Sequence, residues 1–177
     1  MYLMYVLDYE RQLSLIREMT VLRKDSENWV VYYHHPFTNE MWKSYFPRAK
    51  GSHRGPKIMR TEPVPETLKD RLDMCLQSNS EENAIGLGIE LSVEPQQWEQ
   101  IVSIIEDHYR SYDRRQLRLF LQYLGVEKPV ELFQEIGQTP EEHDLDEEQL
   151  KNLKKRTRVI RIKRCFSGKN TRDSSHE

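Results

Sequence analysis

Trp29 to Pro47 reads WVVYYHHPFTNEMWKSYFP, and this stretch decides the fold of the first part of the chain. It holds two Trp, three Tyr and two Phe, placed on both sides of the polar run His35 to Glu40. Aromatic and β-branched residues favour strands, and turn formers between two such runs are typical of a hairpin. The stretch therefore predicts an antiparallel β-hairpin.

Alternation along the first strand of this hairpin divides its side chains between two faces of the sheet. One face has to be core, and the other is the candidate for an exposed contact surface. The first set comprises Trp29, Val31 and Tyr33, and the second comprises Val30, Tyr32 and His34.

The segments on either side of the hairpin predict a helix and a further strand. Between residues 1 and 22 apolar side chains recur at three- and four-residue steps, as a helix with one buried face requires, and Asp8 is placed to cap it. After the hairpin, Arg48 to Pro56 predicts a glycine-containing loop and Lys57 to Thr61 a third strand, which ends before two prolines. We expect an N-terminal helix beside a sheet of two or three strands.

Residues 65–138 have the apolar periodicity of a bundle of four or five helices. Two of the connections between helices are alike. The segment from Leu91 to Pro95 is similar to the segment from Leu124 to Pro129, which follows about 33 residues later, at the spacing of a helix-turn-helix repeat. Two ordinary helices with similar loops would give the same pattern. Each proline is expected at the start of the next helix, where a missing N–H is tolerated.

The C-terminal part of the chain is strongly charged. Acidic residues dominate positions 141–148 and basic residues positions 151–164, an order that suits the macrodipole of one helix. Arg158 to Lys163 alternates between polar and apolar residues, so a strand is the other interpretation of that segment. Residues 167–177 contain nothing to bury and are expected to be disordered. The chain thus divides into 1–64, 65–138, 139–166 and a tail, and its predicted class is α+β.

Composition limits the kind of protein. The 27 basic and 29 acidic residues give a net charge of -2, which does not favour a general polyanion binder. Cys75 and Cys165 are the only cysteines, and the opening MYLMYVLDYERQ lacks a cationic leader and a small-residue cleavage site. We expect a cytoplasmic protein with free thiols and no membrane partner.

No motif of a metal site or of nucleophilic catalysis is present in the sequence. His34 and His35 are neighbours in a strand and point to opposite faces, which hinders a shared metal. Cys75 lies on an apolar helix face and is expected in the core. Glu90, between Ile89 and Leu91, is the nearest candidate for a carboxylate with a shifted pKa, but a position at the edge of a helix explains its apolar neighbours better. The prediction is a non-enzymatic protein without metal or cofactor; a small enzyme of unknown type is the third alternative.

Basic residues cluster in two places, in loop 48–60 and in segment 151–164. Next to aromatic side chains, such clusters can follow a nucleic-acid backbone and stack a base. A nucleic-acid-binding accessory protein is therefore the second functional hypothesis. Solvated charge on a protein surface gives the same pattern, and the neighbouring acidic run weakens the field.

The hairpin and the loop after it resemble a pattern in small immunity proteins of bacterial polymorphic toxin systems. That pattern has a Trp-bearing strand, a turn, a second Trp near a Tyr-Pro, and a loop rich in Gly and His. Here it covers residues 28–65, with Asn39 where a turn glycine is expected. The matching features are Trp29, Tyr32-Tyr33, the Pro36 to Glu40 turn, Trp42, Tyr45-Phe46-Pro47 and the loop Gly51 to Lys57.

The resemblance implies a cytoplasmic protein that binds and neutralises a partner toxin and catalyses no reaction itself. Rigid aromatic side chains supply contact area, and the edge of a small sheet can pair with another chain. We expect the partner to contact the hairpin and its loop. The predicted contact residues are Tyr32, His34, His35, Phe37, Arg48, His53 and Arg54.

Overall fold

The computed structural model describes residues 3–50 and 54–167, and its class is α+β, as predicted. Five strands form one antiparallel sheet in the order β1-β5-β4-β3-β2. The expected sheet of two or three strands was therefore too small. The strands are β1 (Tyr5–Val6), β2 (Thr20–Asp25), β3 (Val30–His35), β4 (Glu40–Tyr45) and β5 (Ile58–Glu62).

The predicted N-terminal helix is wrong at both of its ends. Helix α1 spans only Tyr9–Glu18, with strands β1 before it and β2 after it. Asp8 caps this helix, as predicted, by accepting a hydrogen bond from the backbone N–H of Arg11. The backbone N–H groups of Met4 and Tyr5 donate to the side-chain amide of Asn83, at 2.8 and 3.0 Å, so a distant residue holds β1 in place.

The hairpin prediction is confirmed by strands β3 and β4, which pair with Tyr33 opposite Trp42. Asn39 closes the turn with φ 59°, a left-handed conformation that asparagine adopts more readily than most residues. Its backbone N–H donates to the carbonyl of His35 at 2.9 Å. Asn39 thus supplies the left-handed residue that closes the turn.

In the part of the chain that the structure describes, six α-helices follow the sheet: α2 (Leu68–Leu76), α3 (Glu81–Leu91), α4 (Trp98–His108), α5 (Arg114–Leu124), α6 (Pro129–Ile136) and α7 (Glu147–Phe166). Pro95 begins a 3₁₀ turn before α4 and Pro129 begins α6, as predicted for both prolines. Segment 158–163 belongs to α7, so the strand interpretation is wrong. Leu153, Thr157, Ile160 and Arg164 are the buried face of that helix.

The core lies on both faces of the sheet. The smaller part, Val6, Tyr33, Trp42 and Met59, packs under α1. The larger part joins the sheet residues Tyr5 and Ile58 to the helices, from Leu72 in α2 to Ile160 in α7. Cys75 belongs to it, as predicted, whereas Cys165 is exposed, and both thiols are free. In the described ranges, no helix is long and apolar enough to cross a membrane.

Candidate protein-binding face

A single row of side chains crosses all five strands on the sheet face opposite α1. The register places Tyr5 beside Arg60, Arg60 beside Lys43, Lys43 beside Tyr32, and Tyr32 beside Arg23. Residues at paired positions point to the same side of a sheet, so these five form a cross-strand row. We call Tyr5, Arg60, Lys43, Tyr32 and Arg23 the cation–tyrosine row. Its exposure increases from buried Tyr5 to exposed Arg23.

The inner end of the row is a buried charge cluster built around Glu90 of α3. The carboxylate of Glu90 accepts hydrogen bonds from the hydroxyl of Tyr5 at 2.7 Å and from Nη1 of Arg60 at 2.6 Å. Nη2 of Arg71, in α2, lies 3.1 Å from the same carboxylate as an ion pair. Glu90 was predicted at a helix edge, but it is 8 % exposed, so that prediction is wrong. Charged groups buried in this way are stable only when paired.

With Glu62 included, the cluster holds two guanidinium groups, of Arg60 and Arg71, and two carboxylates. Burial opposes the charge on Arg60, but Glu90 and Tyr45 outweigh it and raise the pKa of the guanidinium. Arg60 also donates to Glu62 at 3.0 Å. Nε of Arg60 and Nε of Arg71 are buried without an acceptor in the part of the chain that the structure describes. These two nitrogens are buried and do not face a partner protein.

Lys43 links the cluster to the open part of the row. Its ammonium lies 4.3 Å from the ring centre of Tyr45 and 5.9 Å from that of Tyr32, within the range of cation–π attraction. Burial, with the charge of Arg60 added, lowers the pKa of Lys43. Burial and Glu90 raise the pKa of Tyr45, so its phenol stays protonated near neutral pH. The row can donate hydrogen bonds and present aromatic surface to a partner.

The outer end of the sheet is open. Strand β2 pairs with β3 on one side, and no strand covers its other edge among the residues described. Residues 20–24 are all exposed, and Val21 and Leu22 expose 55 % and 53 % of their surface. The pairing shifts register between Val21 and Arg23, a bulge that blunts an edge without closing it.

The structure brings part of the predicted contact set to this end. Tyr32 and His34 lie half-buried on the same face as Lys43. Phe37 is 86 % exposed at the tip of the hairpin. Arg54 stacks on Trp29 with its guanidinium carbon 3.8 Å from the ring centre. Tyr32 and His34 thus lie within β3, Phe37 lies beyond one end of that strand, and the stack of Arg54 on Trp29 lies beyond the other.

Two predicted contact residues lie elsewhere. His35 points to the other face, is 7 % exposed, and its ring nitrogens approach Glu18 and the backbone N–H of Thr38. Arg48 is buried, and its guanidinium donates to Ser92, Glu135 and the carbonyl of Tyr123 at 2.8–3.0 Å. Both side chains serve the fold. His53 lies outside the described residues.

The sequence analysis did not single out Lys43 or Arg71, and it assigned Tyr45, Arg60 and Glu90 no place in the predicted contact set. Alternation along β4 and β5 puts Lys43 and Arg60 on one face and is the signal that could have found them. No local pattern points to Arg71 or Glu90, because their partners are far away in sequence. Within residues 3–50 and 54–167, no three His, Cys, Asp or Glu side chains are placed to hold a metal ion.

No protein-family model matches this sequence, and comparisons with curated proteins and with solved structures found no match either. The inference of function therefore depends on the geometry of the sheet face and on its chemistry.

Proposed function

We propose that this chain is a non-enzymatic protein that binds and inhibits another protein, as an immunity protein does. One observation carries the proposal: the open edge of β2 lies next to the half-exposed aromatic and cationic side chains of β3 and β4. An edge strand supplies main-chain hydrogen bonds to a partner strand, and the side chains beside it supply specificity.

The side chains at this face are of the types that dominate binding energy at protein interfaces. Tyr and Arg are enriched among such residues, because both combine a flat apolar surface with hydrogen-bond donors. Tyr32 and Arg23 stand side by side in the register, and Lys43 follows Tyr32. Arg23 is exposed and Lys43 half-buried, and neither forms an ion pair among the described residues, so the two cations favour a partner whose surface carries carboxylates.

The resemblance to immunity proteins covers the same strands. Residues 28–65 contain β3, β4 and β5, which carry Tyr32, Lys43 and Arg60 of the cation–tyrosine row. The free thiols of Cys75 and Cys165 suit a reducing compartment. We accordingly place the protein in the cytoplasm.

Affinity capture from the source cell tests the proposal. The tagged full chain should retain one protein in stoichiometric amount, and the product of a neighbouring toxin reading frame is the expected partner. Tyr32→Ala should weaken that complex by about tenfold or more, because a buried interface tyrosine is typically worth over about 1.4 kcal/mol.

Matched controls separate a contact from general surface effects. Phe37→Ala should weaken the complex, whereas Phe166→Ala, which removes a ring of the same 86 % exposure on α7, should not. Tyr9→Ala, on exposed α1 surface, is the control for Tyr32→Ala. Equal affinity for the wild type, Tyr32→Ala and Phe37→Ala would refute this face as the binding site. Capture of nucleic acid in place of a protein would refute the proposed function.

A further inference from the structure

A cleft of about 490 Å³ lies between the start of α5 and the C-terminal half of α7, away from the sheet. Its walls carry five arginines, Arg114, Arg115, Arg118, Arg161 and Arg164, against the single carboxylate of Asp113. That carboxylate caps α5 by accepting from the backbone N–H groups of Arg115 and Gln116. Little negative charge is left to face the cleft.

Most of the positive charge in the cleft is not neutralised. Arg115 pairs with Glu81, and Arg161 with Glu127 at 2.5 Å. Arg114 and Arg118, by contrast, have no carboxylate within 4.0 Å in the described ranges. Arg164 is 9 % exposed, and its Nε and Nη2 donate hydrogen bonds to the carbonyl of Tyr112 at 3.1 and 3.0 Å. These bonds fix the position of the guanidinium but leave its charge without a carboxylate partner within residues 3–50 and 54–167.

The basic surface continues beyond the cleft in both directions along α7. Arg161 also lines a depression of about 390 Å³ with Arg118, Lys128 and Glu127, where Glu127 pairs with Arg161 and Glu131 pairs with Lys128. Another depression, of about 420 Å³, is lined by Arg161 with Arg158 and Phe166. No ion pair of Arg158 is found among the described residues. A band of cations over three adjoining depressions matches an extended polyanion better than one small anion.

We propose that this cleft binds the phosphate backbone of a single-stranded nucleic acid. Planar guanidinium groups suit phosphate oxygens, and the ring of Phe166, at one end of the band, is exposed enough to stack a base. Because the net charge of the chain is -2, the protein as a whole does not attract a polyanion, and binding would depend on the positive potential at the cleft. This activity is separate from partner binding at the sheet, and Tyr32→Ala should leave it unchanged.

The test measures binding of fluorescein-labelled oligothymidylate and oligouridylate, about 20 nucleotides long, to the full chain by fluorescence anisotropy. Arg118→Glu/Arg158→Glu reverses two exposed, unpaired cations of the band. Arg17→Glu/Lys151→Glu changes the net charge equally on α1 and at the start of α7, and serves as the matched control. Circular dichroism verifies that each variant is folded.

The wild type should bind more weakly as salt rises from about 50 to 200 mM, because phosphate contacts release counterions. The cleft variant should lose about tenfold or more in affinity, and its salt slope should fall by about 1.4, at about 0.7 for each phosphate contact of a single strand. Phe166→Ala should lose about fivefold, the loss of one stacked base.

Three outcomes would overturn the proposal. The first is no binding by the wild type at the lowest salt. The second is an equal loss in the cleft variant and the control, which would reflect net charge alone. The third is tighter binding of a poly-glutamate peptide than of either oligonucleotide, which would assign the cleft to an acidic protein.

Discussion

Glu90→Gln removes the negative charge at the centre of the buried cluster and keeps the size of the side chain. Glu90 contacts three residues from three elements, Tyr5 of β1, Arg60 of β5 and Arg71 of α2. The amide can still accept a hydrogen bond, but it cannot balance two guanidinium charges. The substitution therefore tests whether this cluster holds the helices to the sheet.

The expected loss of stability in Glu90→Gln follows from the burial of Arg60 and Arg71. Their side chains are 8 % and 13 % exposed, so neither guanidinium can recover its hydration without movement of the fold. Breaking a buried ion pair by removing one partner costs about 3–5 kcal/mol. Glu62 still faces Arg60, which favours the lower limit, so we expect a loss of about 3 kcal/mol in the free energy of unfolding.

Urea unfolding followed by tryptophan fluorescence measures this loss, since Trp42 and Trp98 are buried. Glu62→Gln is the control, because Glu62 is more exposed and contacts Arg60 but not Arg71, and it should cost about 1 kcal/mol or less. Arg71→Met should restore part of the stability of Glu90→Gln by removing one unpaired charge. A loss below about 1 kcal/mol in Glu90→Gln would refute the reasoning.

Three further predictions concern the core. A Cβ added in Gly86→Ala would lie 2.5 Å from Cγ of Tyr5, so urea unfolding should show a loss of about 1–3 kcal/mol; an unchanged midpoint would contradict this contact. Mass spectrometry after alkylation should find Cys165 modified in the folded protein and Cys75 only in denaturant; two fast thiols would contradict the assigned burial. Burial raises the pKa of the Cys75 thiol from 9.0 to about 12, so with rising pH this thiol ionises in the unfolded chain before it ionises in the folded protein. The free energy of unfolding should therefore fall as the pH rises from 9.0 to about 12. In Cys75→Ala the free energy of unfolding should fall less steeply with pH over this range, and a slope equal to that of the wild type would contradict the raised pKa of Cys75.

The hairpin could be predicted because its signal is local. Strands β3 and β4 carry aromatic and β-branched residues on both sides of a turn, and alternation alone separates the face of Tyr33 from the face of Tyr32. The former is buried under α1 and the latter is half-exposed. Tyr32 and His34 therefore lie together, as alternation requires.

The two N-terminal strands could not be found in this way. Strand β1 has two residues, too few for any period, and it depends on Asn83 and on β5. Strand β2 is exposed on both faces, so it shows no alternation of polar and apolar residues. Its apolar residues Val21 and Leu22 continued the spacing of α1, and the helix was therefore predicted to extend too far.

Charge counted along the chain finds only part of the cationic surface: segment 151–164 contains Arg158, Arg161 and Arg164 of the band, whereas loop 48–60 does not contribute to it. Loop 48–60 is the densest basic run near the hairpin, yet Arg48 and Arg60 donate to carboxylates that the fold brings to them. The arginines of the α5–α7 cleft stand far apart in sequence and converge because the two helices pack together. What decides the role of a buried or half-buried arginine is whether a carboxylate lies within ion-pairing distance, and that depends on tertiary contacts. The sheet face and the cleft place unpaired cations on two separate surfaces, Arg23 and Lys43 on the first and Arg114 and Arg118 on the second, which is why we propose a different partner for each.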